Sequence, residues 1–144
     1  MTLLHEHITH QIIGAFFEVY NTIGYGYLES VYAAAMGAEL EARRMPFLRE
    51  WPYPVHYKGK RIAVAKADLV VANSVIVELK AVDHITGAHD AQLFNYLKAS
   101  GLQVGLILNF GRRAEKRRII WTGTRGAIDD VRPDRTPVLV PASP

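Results

Sequence analysis

The stretch that decides the fold is ADLVVANSVIVELK, residues 67–80. Two runs rich in β-branched residues flank Ala-Asn-Ser at 72–74, a segment whose residues favour turns. A turn centred on Asn73 pairs Val71 with Val75 in antiparallel register. The stretch is therefore predicted to form a hairpin of two strands, with the pairing set by the turn.

The same register puts Asp68 opposite Glu78. Because side chains alternate across a sheet, both acids and Lys80 lie on one face. Directly opposed residues have Cβ atoms about 5 Å apart, where two ionised carboxylates repel by roughly 3 kcal/mol at an effective dielectric near 20. A divalent cation would remove this repulsion, because Mg²⁺ prefers oxygen ligands. The alternative is that Lys80 pairs with one carboxylate on a solvated face, and spacing alone leaves both interpretations open.

Outward from the hairpin, apolar periodicity and breaker residues predict the other elements. In order, these are helices Leu4–Asn21 and Leu28–Arg44, strands Phe47–Tyr57, Arg61–Val71 and Val75–Lys80, helix Ala88–Ala99, and strands Val104–Phe110 and Lys116–Thr122. The order ααβββαββ, with a helix crossing between the third and fourth strands, predicts an α/β fold: a central mixed β-sheet flanked by α-helices. We expect one domain over residues 1–125 and a Pro-rich tail over 126–144.

Composition narrows the classes of function. The 144 residues include no cysteine, which excludes disulfides, thiolate nucleophiles and Cys-based zinc sites. No apolar run approaches the roughly 20 residues that span a bilayer, and the N-terminus lacks the pattern of a signal peptide. We therefore expect a cytoplasmic protein that does not enter a membrane.

Charge is unevenly distributed along the chain. The formal net charge is +3, yet residues 1–42 contain no Lys or Arg. Six bases lie within Gly111–Arg125, where Glu115 is the one acid. Such asymmetry favours an anionic partner, most commonly nucleic acid. It is equally typical of a basic edge strand that resists aggregation, and the sequence leaves these two readings open.

Two further features bear on the acids of the hairpin. His89, Gln92 and Tyr96 have helical spacing and share one stripe, which either meets substrate beside the acidic face or is simply solvated. Glu29 lies in the first turn of the second helix. It either complements the helix dipole there or reaches Asp68 and Glu78 as a third acidic ligand.

Five short blocks, in order along the chain, match a known pattern. They are GYLESVY at 26–32, ADL at 67–69, VELKAV at 77–82, HDAQLFNYL at 89–97 and VGLILNFG at 104–111. In these blocks the chain resembles the GxxExxY proteins, a family of the PD-(D/E)XK nuclease superfamily. Tyr25 departs from the pattern, because many relatives carry proline there, but it changes a loop and no expected ligand.

The resemblance implies the restriction-endonuclease-like core of that superfamily and assigns roles by position. Asp68 corresponds to the first acid of the motif, and Glu78 with Lys80 corresponds to its (D/E)XK element. Gln92 and Tyr96 match a QxxxY element. Glu29 would be the helical acid that joins Asp68 and Glu78 around the metal.

The resulting functional prediction is a nuclease, dependent on Mg²⁺ or Mn²⁺, that hydrolyses phosphodiester bonds in DNA. Asp68, Glu78 and Lys80 would be catalytic, and Gln92, Tyr96 and His89 would bind substrate or support the catalytic residues. We expect DNA rather than RNA as partner, and exposed sheet edges with an apolar first helix would permit a homodimer. The alternatives are a non-catalytic nucleic-acid-binding or accessory module on the same fold, and a small-molecule or RNA-processing enzyme that uses the same metal.

Overall fold

The structure, a computed structural model, describes residues 5–123, so the predicted tail at 126–144 lies outside the described residues. Its elements follow the predicted order. They are α1 (Glu6–Ile23), α2 (Glu29–Ala42), β1 (Phe47–Tyr57), β2 (Lys60–Val71), β3 (Val75–Lys80), α3 (Gly87–Ser100), β4 (Val104–Phe110) and β5 (Ala114–Ile120). Among these helices, none has both the length and the apolar character required to cross a bilayer.

The five strands form one sheet in the order β1-β2-β3-β4-β5. All neighbouring pairs are antiparallel except β3 and β4, which are parallel. This exception follows from α3, because a helix that crosses from one strand to the next returns the chain in the same direction. The predicted α/β fold with a mixed sheet and flanking helices is confirmed.

The central hairpin has the predicted register. Val71 pairs with Val75, Val70 with Ile76 and Leu69 with Val77. Ala72 and Asn73 both adopt the left-handed conformation, with φ of 53° and 56°, and the Ser74 N–H donates to the Val71 carbonyl at 3.0 Å. Two consecutive left-handed residues make a tight turn whose twist matches that of the strands, and this turn fixes the pairing.

Helices cover both faces of the sheet. α1 and α2 bury one face, where residues such as Phe16, Met36 and Leu69 form the larger core. α3 buries the other face through Leu93 and Leu97, which pack with the β-strand residues of a second core. β4 lies between the two cores and is buried along its whole length, which agrees with its almost wholly apolar sequence. Each fully buried large apolar side chain contributes about 1.5–3 kcal/mol to the free energy of unfolding. The well-packed middle of the sheet therefore supports the residues at the ends of its strands.

Candidate active site

The two acids of the hairpin lie where its strands stop pairing. Among the described residues, the ladder between β2 and β3 ends at Leu69 and Val77. Beyond that point a Glu78 carboxylate oxygen accepts a hydrogen bond from the Asp68 N–H at 3.0 Å. An Asp68 carboxylate oxygen accepts one from the Leu79 N–H at 2.7 Å. Each acid thus takes the place of a backbone carbonyl on the opposite strand, and the structure brings the two predicted acids together in this crossed arrangement.

An irregularity in β2 explains why the ladder opens at Asp68. Ala67 and Val70 both pack in the core on the α3 side, although residues three apart on a regular strand point to opposite faces. On β1, Glu50 has a φ of 52° at the corresponding level, between the pairs formed by Arg49 and Trp51. The alternation of side chains between the two faces of the sheet therefore changes around Asp68. The backbone N–H groups of Asp68 and Leu79, which lose their partners in the ladder there, donate to carboxylates instead.

Burial makes the acidic pair costly. Glu78 is only 4% exposed, and desolvation, followed by the charge of Asp68, raises its pKa to about 8. The pKa of Asp68 is raised as well, mainly by burial. The hydrogen bond from Leu79 and the charge of Lys80 offset only part of this rise. Because burial and mutual repulsion dominate, the single nearby ammonium does not balance the two carboxylates.

Lys80 is connected to α3 through side chains. Its Nζ donates to the Gln92 side-chain oxygen at 3.1 Å, and the Gln92 amide nitrogen donates to the Tyr96 hydroxyl at 3.2 Å. Gln92 and Tyr96 are both partly buried, so this stripe of the helix faces the acidic site rather than open solvent. The sequence left that orientation open, and the packing of α3 over the sheet decides it.

Tyr53 is a residue of the site that the sequence did not single out. It lies in β1 with 1% of its surface exposed, and its ring meets the Tyr96 ring edge-on at 4.8 Å between centroids. Its buried hydroxyl has no hydrogen-bond partner among the described residues. Burial, followed by the charges of Glu78, Tyr96 and Asp68, raises the pKa of this hydroxyl. The alternation of side chains along β1 could have predicted that one face of this strand is buried. It could not have predicted which element covers that face.

The structure places His89 and Glu29 outside the hydrogen-bonded group formed by the two acids, Lys80 and Gln92. The His89 Nδ1 accepts a hydrogen bond from the Thr86 N–H at 3.1 Å, as part of the capping box that begins α3. Glu29 is exposed at the start of α2, and its charge raises the pKa of Asp68 and Glu78. Within residues 5–123, however, no three or more acidic or histidine side chains gather as a metal site. A metal-binding role for Glu29 stays a prediction.

The residues that do converge fit a divalent cation. Asp68 and Glu78 offer oxygen ligands, and Mg²⁺ is commonly held by one or two carboxylates together with waters and substrate phosphate. After burial, the charge of Asp68 is the next cause of the raised pKa of Glu78, and a cation between the two carboxylates would relieve this repulsion. Two carboxylates suffice for such an ion, so a third protein acid is not required.

The fold and the site define an α/β protein with two acids and a lysine on its central hairpin. The profile of the PD-(D/E)XK nuclease superfamily matches residues 6–120, and the chain belongs to this superfamily. No curated protein matches the chain.

A similar fold occurs in a solved structure described as the crystal structure of SSO0001. The TM-score is 0.53 at 17% sequence identity, with 76% of this chain and 57% of that chain covered. The chain therefore spans little more than half the length of the solved structure, and the likeness concerns the fold. The finer resemblance to the GxxExxY proteins stays a prediction.

Proposed function

We propose that the chain is a divalent-metal-dependent nuclease that hydrolyses phosphodiester bonds in DNA. The observation that carries the proposal is the pair formed by the half-buried Asp68 and the buried Glu78, crossed over the end of the hairpin ladder beside Lys80. Membership of a nuclease superfamily supports a nucleic-acid substrate. A purely structural role gives no reason to place a second carboxylate beside the buried Glu78, since unbalanced buried charge is destabilising.

The site residues would divide the work as follows. Asp68 and Glu78 would hold Mg²⁺ or Mn²⁺, and when bound this ion would polarise a phosphoryl oxygen and lower the pKa of a water. The Lys80 ammonium would orient the attacking water or stabilise charge that develops on the phosphate. Gln92 fixes the position of that ammonium through the hydrogen bond at 3.1 Å.

Two tyrosines complete the proposed site. The Tyr96 hydroxyl accepts from Gln92 and keeps its own proton to donate to a phosphate oxygen. The Tyr53 hydroxyl is already desolvated and has no partner within residues 5–123. Because this hydroxyl is also fully buried, it would not touch substrate; Tyr53 would act by packing its ring against Tyr96 and so fixing the position of the Tyr96 hydroxyl.

The test is cleavage of DNA, single- and double-stranded, with Mg²⁺ and with a chelator. The variants Asp68→Asn and Lys80→Met remove a ligand and a cation while keeping similar shapes. Glu41→Gln is the matched control, because Glu41 lies twelve residues after Glu29 on α2, about 18 Å along the helix. We expect metal-dependent cleavage by wild type and Glu41→Gln and a loss of about 100-fold or more in the other two. Absence of cleavage by wild type, or equal cleavage by all four proteins, would refute the proposal.

A second candidate is a nucleic-acid-binding module without catalysis, favoured by the basic segment Arg112–Arg118. In the structure Arg117 forms an ion pair with Asp90 at 2.7 Å, and Arg118 donates to the Thr9 hydroxyl. Arg112 and Arg113 line an open cleft of about 620 Å³ with Asp83 and His84. This candidate predicts nucleic-acid binding that depends on salt but is unaffected by a chelator. Charge reversal at Arg117 and Arg118 should abolish that binding, and the wild-type protein should not cleave nucleic acid.

A further inference from the structure

One part of the sheet extends beyond the rest. β1 and β2 pair as far as Tyr57 with Lys60, whereas β3 covers only Leu69–Val71 of β2. Residues 51–67 therefore form a two-stranded ribbon, here called the arm. Its base packs against α3 through Tyr53 and Ala67, and the β2 side of the arm is exposed from Lys60 to Val64. At about 3.3 Å per residue the arm is roughly 25 Å long.

The arm has a tight tip and a marked twist. Lys58 and Gly59 both have positive φ, 51° and 79°, between the paired residues Tyr57 and Lys60. This is the two-residue hairpin turn whose twist agrees with that of the strands. The register shifts between Val55 and His56, and such a bulge increases the twist further. The arm is thus a coiled ribbon, unsuited to adding a flat strand from another sheet.

The surface chemistry of the arm is basic and partly apolar. Residues 51–67 contain no acid and four cations, Lys58, Lys60, Arg61 and Lys66. Lys66 lies 4.0 Å from Glu50 at the base, and Lys58 stands over the Tyr57 ring at 5.3 Å. Three large apolar side chains near the tip are more than half exposed: Tyr57, Ile62 and Val64.

This composition selects the partner. A second copy of the chain would bring two sets of cations together, which opposes a dimer through the arms. A polyanion complements the same charges, and the apolar side chains can contact sugars and base edges. β2 also continues from the arm directly into Asp68, so a polymer lying along the arm reaches the acidic site.

We infer that the arm binds duplex DNA and lies in its major groove while the backbone passes the Asp68 and Glu78 site. The major groove of B-form DNA is about 12 Å wide and admits a two-stranded ribbon, whereas that of duplex RNA is too narrow to be read. The choice of nucleic acid as partner rests on the proposed function. The arm specifies the class of substrate, which is duplex DNA. The duplex would extend about 25 Å from the acidic site, or roughly seven base pairs.

The test measures binding without chemistry, by fluorescence anisotropy in EDTA with duplex DNA of about 24 base pairs at several salt concentrations. The arm variant is Lys58→Gln/Lys60→Gln. The matched control is Arg44→Gln/Lys98→Gln, which removes the same charge from the turn after α2 and from α3. We expect the arm variant to bind about tenfold more weakly, with a salt slope reduced by about 2. The control should retain the wild-type affinity and slope.

A second measurement concerns the groove. Ile62→Ser leaves the charge unchanged, and it should weaken binding to duplex DNA but not to duplex RNA of the same sequence. Equal loss of affinity in arm and control variants, equal binding of both duplexes by wild type, or no binding to duplex DNA would each overturn the inference. A dimer that the arm variant dissociates, with DNA affinity unchanged, would assign the arm to a second copy instead.

The two proposals fail separately. Binding in EDTA does not depend on turnover, so an arm that binds duplex DNA stands even if wild type cleaves nothing with Mg²⁺. Conversely, an arm variant that binds like wild type refutes the arm and leaves metal-dependent cleavage untouched.

Discussion

At the scale of single residues, the buried Glu78 makes the stability of the fold depend on pH. Burial and the neighbouring Asp68 raise its pKa to about 8, above the ordinary value of 4.5. A carboxyl whose pKa is raised on folding favours the folded state only while it is protonated. Its effect on stability therefore turns unfavourable as the pH rises from about 4.5 toward 8. The site is held together at neutral pH by the rest of the fold.

The variant Glu78→Gln should consequently be more stable than wild type at alkaline pH. The amide oxygen can still accept from the Asp68 N–H, and the buried negative charge is gone. In the presence of EDTA we expect its Tm to exceed that of wild type by about 5 °C or more near pH 8.5. The difference should shrink toward zero near pH 4, where the wild-type carboxyl is protonated. Thermal melts at both pH values check this, and a pH-independent difference would contradict it.

Tyr53 gives a second prediction at the same scale. Tyr53→Phe removes a buried hydroxyl that has no partner among the described residues, so the free energy of unfolding should stay equal or rise by about 1 kcal/mol. Because the hydroxyl is buried away from substrate and phenylalanine keeps the ring that packs against Tyr96, DNA cleavage should stay close to that of wild type. Tyr25→Phe, at an exposed loop tyrosine, is the control. Loss of cleavage by Tyr53→Phe at unchanged stability would show instead that the hydroxyl itself takes part in the reaction.

At the scale of elements, α3 is held close to β4 at Gly105. A Cβ added to Gly105 would lie 2.7 Å from a Leu93 methyl carbon. Leu93 is buried and directly follows Gln92 on the helix, so moving Leu93 shifts Gln92, the hydrogen-bond partner of Lys80. The close approach is thus part of how a helix and a strand position the site.

Gly105→Ala should therefore destabilise the protein by about 1–3 kcal/mol through overpacking. Cleavage should fall as well, because α3 carries Gln92. Chemical denaturation of Gly105→Ala, of Leu93→Ala and of the double variant forms the test. We expect the double variant to be more stable than the sum of the single effects predicts, since Leu93→Ala makes room for the added methyl. Additive effects would show that the contact is not the cause.

At the scale of the whole molecule, the proposed cation should link folding to metal. An ion that binds only the folded chain stabilises it by about 2.7 kcal/mol at a concentration of 100 times its Kd. The Tm of wild type should rise with Mg²⁺, and more steeply above pH 8 because Glu78 must lose its proton to bind. Asp68→Asn should show little of this rise. An equal rise in both proteins would indicate general salt effects rather than the site.

The whole molecule also shows which features could be predicted from the sequence and which could not. The order of elements and the register of the hairpin were predicted because the period of apolar residues and the Asn73 turn are local signals. The crossed hydrogen bonds of Asp68 and Glu78 were not, because they depend on an irregularity of β2 against β1. Tyr53 was missed for a related reason, since its partner Tyr96 lies 43 positions further along the chain.

The sequence by itself determined the α/β class, the mixed sheet and the presence of two acids and a lysine on one hairpin. These follow from side-chain periodicity and turn chemistry, which act over a few residues. Only the tertiary structure decided which way the α3 stripe faces, how deeply Glu78 is buried and that residues 51–67 extend as an arm. Burial and charge balance are sums over elements distant in sequence, so they exist only once the layers have packed.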